Sequence, residues 1–206
     1  VPYDSKIKTI EDLVAEFKAR PGEVKVASAG VGAGGHLAAE TFRKATGIEY
    51  RHIPYKGGYP AVVSTVKGET EVVMQLSMEV ADMLRAKKLR ALANMSTQAL
   101  DIDGYGEVPP VMQFIPDHAP LQYLFGLYIP KGTPQEAVET INKAFDAAAA
   151  SDSIKRLAKE KASAVVNYKG DEALKLSETT GNNVNCILQE IGIAKKDPAA
   201  FGFICK

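Results

Sequence analysis

Residues 24–40 read VKVASAGVGAGGHLAAE, and this stretch decides the fold. β-Branched residues give way to Gly30, Gly32, Gly34 and Gly35, and an apolar periodicity that suits a helix follows at once. A strand that ends in a glycine loop and continues as a helix lets the backbone approach a ligand closely and aims free N–H groups at it. Such a turn favours an anion, either phosphate or carboxylate. Gly30, Gly32 and Gly35 also satisfy G-x-G-x-x-G, so a dinucleotide phosphate is one candidate occupant.

Outward from this turn, strands and helices alternate. Thr9–Asp12 reads as a capping box, with Ile10, Leu13, Val14 and Phe17 on one helical face and Pro21-Gly22 as the stop. After the strand near 24–29 and the glycine loop come a helix ending at Gly47 and a strand over 49–54. Tyr55-Lys56-Gly57-Gly58 is a turn before a short helix over 60–67, and further strands are expected at 70–76 and 89–95 around a helix at 78–87. This order predicts βαβ units, a largely parallel sheet and an α/β fold. Residues 97–120 carry four prolines and read as a long connection with one helical turn, the kind of segment that marks a boundary between lobes. A strand over 121–129, a helix from Thr133-Pro134 to 150, a shorter one to 161, a strand at 163–166 and a last helix over 171–191 complete the chain.

The composition, 46% hydrophobic and 24% charged, suits a folded globular protein. Twenty-five basic and 25 acidic residues balance, so there is no electrostatic footprint for nucleic acid or an anionic membrane. No apolar run approaches the ~20 residues of a membrane span. The chain opens on Val1 rather than Met, which reads as a processed or trimmed product. Cys186 and Cys205 are too far apart for a C-x-x-C motif; they are either two unrelated thiols or a disulfide that pins the tail to the last helix, which needs an oxidising compartment.

No catalytic set emerges. A dinucleotide site needs an acidic residue at the far end of the second strand, but Glu49 begins that strand and its end reads His52-Ile53-Pro54-Tyr55-Lys56. Ser28 lacks the glycine two residues earlier that a nucleophile elbow requires. His36, His52 and His118 are scattered, with no i,i+4 pair among them to hold zinc. His36 reads first as a local packing or capping residue at the helix opening, and His52 as structural or surface. Lys56 is the one cation of its turn and is either an exposed turn lysine or a charge beside a bound anion. The third strand leads into Gln75-Leu76-Ser77-Met78, so three loops share the carboxyl edge of the sheet, and 28–36, 55–58 and 75–78 contain no Asp or Glu. An edge of this kind accepts a carboxylate and offers nothing to an ammonium group. Binding, without cofactor or metal, fits better than catalysis.

The blocks GVGAGGHLAAE (30–40), HIPYKGGYPAV (52–62), KKLRALANMS (87–96) and LYIPKGTPQEAVETINKAF (127–145) resemble, in order and spacing, the Bug-type (TctC-like) substrate-binding proteins of tripartite tricarboxylate transporters. The resemblance implies a periplasmic-binding-protein-like (type II) fold with Rossmann-like lobes, a periplasmic receptor, a small di-, tri- or aromatic carboxylate as ligand, and membrane permease subunits as partners. Carried over by position, Ser28, Gly30, Val31, Gly32, Ala33, Gly34 and Gly35 match the family's carboxylate loop, and the adjoining His36 is a further expected ligand contact. Tyr55, Lys56, Gly57 and Gly58 match its PYKGG turn, and Gln75 and Ser77 complete the expected ligand contacts. Gln75 falls where amino-acid-binding members tend to carry Asp, which argues against an amino-acid ligand.

The resemblance also implies a division. Residues 1–120 would form the complete second lobe, and 121–206 the returning segment of a first lobe whose N-terminal half is missing. The apolar faces around 124–129 and 137–148 then lack their usual cover, so a partner chain or a second copy is expected over residues 121–150. Two other readings stay open: a nucleotide-binding enzyme domain built on the same loop, and a dimerisation module without ligand.

Overall fold

The computed structural model describes residues 1–119, 121 and 123–205. Three short parallel strands, β1 (Lys25–Ser28), β2 (Arg51–Pro54) and β3 (Val72–Val73), pair in the order β2-β1-β3. Helix α1 (Ile10–Ala19) precedes the sheet and is fastened by Thr9, whose side chain accepts from the Asp12 amide while Asp12 answers at the Thr9 amide. Helix α2 (Gly34–Thr46) links β1 to β2 and stops at Gly47, whose φ of +67° few other residues adopt cheaply. Helices α3 (Gly58–Val66) and α4 (Ser77–Arg85) follow β2 and β3.

Successive residues of a strand face opposite sides, and the core obeys this rule. Val26 and Val72 join Leu13, Phe17, Leu37 and Phe42 in one cluster, whereas Val73 packs against Val62, Ala81 and Leu84 in another. Helices α1 and α2 thus cover one face of the sheet, and α3 and α4 the other. Buried hydroxyls in the α3 region satisfy one another, Thr70 meeting Ser64 at 2.9 Å and Thr65 at 2.7 Å.

Several expected strands do not form. Residues 89–95 run irregularly, held by isolated bridges of Leu89 to Pro2 and Asn94 to Pro110, because no neighbouring strand lies alongside. The proline-bearing connection hides a hairpin, β4 (Leu100–Ile102) with β5 (Gly106–Val108), besides the one short turn of helix at Val111–Gln113. Asp103-Gly104 was its sequence signal. In 121–129 and 163–166 the described residues form no strand, for want of a partner; Pro120 and Gln122, at the expected lobe boundary, lie outside the described residues.

Beyond this point come α5 (Gln135–Ala150), α6 (Asp152–Glu160) and α7 (Gly170–Glu190), none of which buries a residue. Phe125, Leu127 and Tyr128 are 75%, 71% and 80% exposed. Among the described residues, the C-terminal part of the chain that carries them is attached through a few contacts. Ala162 enters the second cluster beside the Arg85–Glu160 carbonyl hydrogen bond of 2.6 Å, and Val184, Ile187 and Leu188 of α7 pack on the first. Cys186 and Cys205 are disulfide-bonded, and Asn182 exchanges two hydrogen bonds with the Ile204 backbone, so the tail is fixed to α7. Among the described residues no helix is long and apolar enough to cross a membrane.

This distribution makes a prediction. Phe42→Ala, at a residue 1% exposed, will cost about 3–5 kcal/mol in urea unfolding, whereas Leu157→Ala, at one 49% exposed, will stay within about 0.5 kcal/mol. Equal losses would mean that α6 shares a core.

Candidate functional site

The three expected loops meet. The Tyr55 and Gly57 amides donate to the Ser28 and Ala29 carbonyls at 2.9 and 3.0 Å, and the Met74 amide to Ala27 at 3.2 Å. The chain leaves β1 toward one face of the sheet and leaves β2 and β3 toward the other, so the crevice of an open α/β sheet opens beside the carboxyl end of β1. Two glycines make the approach possible. A Cβ on Gly35 would collide with the Met74 carbonyl, and one on Gly58 with the side-chain ends of Gln75 and Glu79. Gly30 and Gly57, with φ of +146° and +112°, turn the backbone in conformations that other residues rarely adopt.

Helices α2, α3 and α4 all begin at this edge, and their N-caps, Ala33, Gly57 and Leu76, supply no side-chain acceptor. By contrast α1 is capped by Thr9 and α6 by Ser151. Helices α5 and α7 also lack a side-chain cap, so what distinguishes the edge is convergence. Three helix N-termini without a side-chain cap, and with them three positive dipole ends, meet where the loops do.

Behind the loop lies a buried polar network. Ser28 is fully buried; its Oγ meets His52 Nε2 at 2.7 Å, reaches the Gly30 carbonyl at 3.1 Å and accepts from the Gly30 amide at 3.3 Å. The Gly32 amide donates to His36 Nδ1 at 3.0 Å, and the two imidazoles stack with centroids 4.0 Å apart. Glu40 Oε1 lies 3.7 Å from His36 Nε2 and accepts from Tyr50 at 2.5 Å, while Arg43 Nε donates to Glu40 Oε2 at 2.8 Å. Burial lowers the His36 pKa against the pull of Glu40; burial, then the proximity of His36, hold His52 down at about 4. Both rings are neutral at pH 7. Ser28 and His36, both expected to touch a ligand, are buried, and Ser28 Oγ and His36 Nδ1 are engaged inside the protein.

Val31 and Lys56 are exposed, Tyr55, Gln75 and Ser77 half-buried, and Gly32, Ala33 and Gly34 line the loop's outer run. Two residues here escaped the sequence reading. Tyr123 lies close enough to the loop that a Cβ on Gly34 would meet its ring at 3.0 Å, and nothing local announces that contact. Glu79 lies one residue past the third loop and accepts a hydrogen bond from Gln75, so the edge is not free of carboxylates as expected. Being two positions into α4, it was legible only once the helix start was known. A groove of about 500 Å3 lies beside Val31 and Gly32, walled by Leu188, Ile193, Lys196 and Phe201.

Among known proteins, the family described as tripartite tricarboxylate transporter family receptor matches residues 1–193. The chain belongs to this receptor family. An intergenic-region protein of Pseudomonas sp. (strain P51) is 30% identical over 159 residues, covering 75% of this chain and 46% of its own length. BugT of Bordetella pertussis is 32% identical over 138 residues, covering 67% and 42%. A solved periplasmic transporter aligns with a TM-score of 0.81 at 27% identity, over 94% of this chain and 64% of its own. The chain thus spans less than half the length of those curated relatives and about two thirds of that structure. The family is one of transport receptors, not of enzymes.

The two tight glycines of this family member carry different burdens. Gly35→Ala meets rigid backbone and will cost about 3 kcal/mol, the upper end for overpacking; Gly58→Ala meets side-chain ends that can swing away and will cost about 1 kcal/mol or less. Thermal denaturation of the two variants side by side measures the difference, and a Gly58 variant as damaged as the Gly35 variant would contradict the packing described.

Proposed function

We propose that the chain is part of a periplasmic solute receptor that binds a small di-, tri- or aromatic carboxylate and delivers it to the membrane subunits of a tripartite tricarboxylate transporter. The observation that carries this reading is the convergence of the α2, α3 and α4 N-termini, none capped by a side chain, on one glycine-walled edge. Carboxylate oxygens would take the amides of Gly34, Gly35 and the starts of α3 and α4, with Lys56 contributing charge from its exposed turn. Family membership supports the transport role, and the Cys186–Cys205 disulfide agrees with an oxidising compartment such as the periplasm. Two structures with the same fold were solved with carboxylates: a Rhodopseudomonas palustris protein with adipate, at 22% identity and TM-score 0.71, and MatC of that organism with malate, at 16% and 0.69.

Residues 1–120 form the lobe that holds this edge, and 121–206 return to a first lobe whose other half these residues do not supply. The unburied helices α5 to α7 and the exposed 123–129 segment support that division and call for a partner chain or second copy as cover. The closing wall of the ligand site belongs to the same half.

A thermal-shift series tests the ligand class, since a solute that binds only the folded state raises stability by about 2.7 kcal/mol at a hundredfold excess over its Kd. Malate or adipate will stabilise the chain and NAD will not. Stabilisation by NAD with no response to either acid would transfer the loop to a nucleotide.

A further inference from the structure

The glycine loop is gripped at two points by a pair of stacked imidazoles. At its start, His52 from β2 holds the Ser28 hydroxyl, which in turn closes on the Gly30 amide and carbonyl. Two residues further on, Gly32 donates its N–H to His36 Nδ1. These are unlike contacts. Ser28 can accept a proton from His52 Nε2 or donate one to it, so that end tolerates either state of His52. A backbone amide can only donate. The bond at Gly32 therefore exists only while Nδ1 of His36 bears a lone pair, and a neutral His36 must carry its proton on Nε2, toward Glu40.

We propose that His36 is a positioning residue for the carboxylate loop, its unprotonated Nδ1 fixing the Gly32 peptide, and that protonating His36 turns this acceptor into a donor, frees the loop and loosens the site in acid. The inference rests on reading the loop as the carboxylate cradle. It adds a means by which the same site lets its ligand go.

Glu40, one turn along α2, favours the proton, but its carboxylate is already engaged by Arg43 and Tyr50. Arg43 also faces Glu49 at 3.9 Å. From β2, His52 lies face to face at 4.0 Å, so a charge on one ring opposes a charge on the other. Tyr50 sits edge-on to His52 at 6.4 Å, its phenol held protonated by burial and by Glu40. Burial keeps His36 neutral at pH 7 and places its protonation below the ordinary histidine value of 6.5. The loop is held at neutral pH and released as pH falls.

The Gly32 amide reports on this bond without any ligand. In 15N–1H spectra recorded from about pH 7.5 to about pH 5.5, spanning the histidine range, the Gly32 amide will shift and gain hydrogen exchange with the same midpoint as the His36 ring. In His36→Asn, whose Oδ1 keeps an acceptor beside Gly32, the amide will stay put; in His36→Phe it will be released at every pH. Malate affinity is then measured at the two pH values, with His36→Asn correcting for malate's own protonation. Relative to that variant the wild type will lose about fivefold on acidification, the worth of one ordinary hydrogen bond. A Gly32 amide that ignores the His36 titration, or that stays protected in His36→Phe, would overturn the proposal. So would malate affinities that change equally in wild type and His36→Asn. Absence of malate binding in all three proteins would refute the cradle reading instead, while the Gly32 amide would still decide the role of His36.

Discussion

At Gly35 the first turn of α2 presses so closely on the Met74 carbonyl that no side chain fits between them, and the arrangement of the ligand edge follows from that contact. It brings the loop after β1 against the end of β3. Gly58 repeats the device with Gln75 and Glu79, drawing in the loop after β2. Three helices are thereby started within reach of one another, none of them with a side-chain cap. Their uncapped N-termini would be a cost on an isolated helix. Helix N-termini left in this state are where proteins commonly bind anions.

The same loop carries a second layer of order that its glycines cannot supply. Glycine permits the positive φ of Gly30 and Gly32 but does not choose it, and a loop free to move would give up affinity in being ordered. Ser28, His52 and His36 make that choice from behind. This explains why polar residues with the look of ligand contacts are buried: they act on the loop.

The order of strands and helices was legible in the sequence because it rests on local signals, such as the Thr9–Asp12 capping box, the stop at Gly47 and the start near Thr133. Strand pairing was not, because it is a tertiary property. Residues 89–95, 121–129 and 163–166 have strand composition, but among the described residues no strand pairs with them, and chain without a partner forms no ladder. The β4–β5 hairpin was missed for the opposite reason, since neighbouring prolines masked its Asp103-Gly104 turn. At the site, the three loops and their meeting edge followed from topology. The contacts of Glu79 and Tyr123 did not, and neither did the inward turn of Ser28 and His36, for each depends on side chains distant in sequence or on one turn's exact start.

The central claim is that the helix starts at this edge form one carboxylate cradle, and backbone amide shifts on adding malate test it most directly. The account predicts that Gly34 and Gly35, Gly58 and Tyr59, and Ser77 and Met78 respond together along one saturation curve, with α5 and α6 silent. Saturable shifts confined to the groove between Val31 and Phe201, with the three helix starts unmoved, would contradict it.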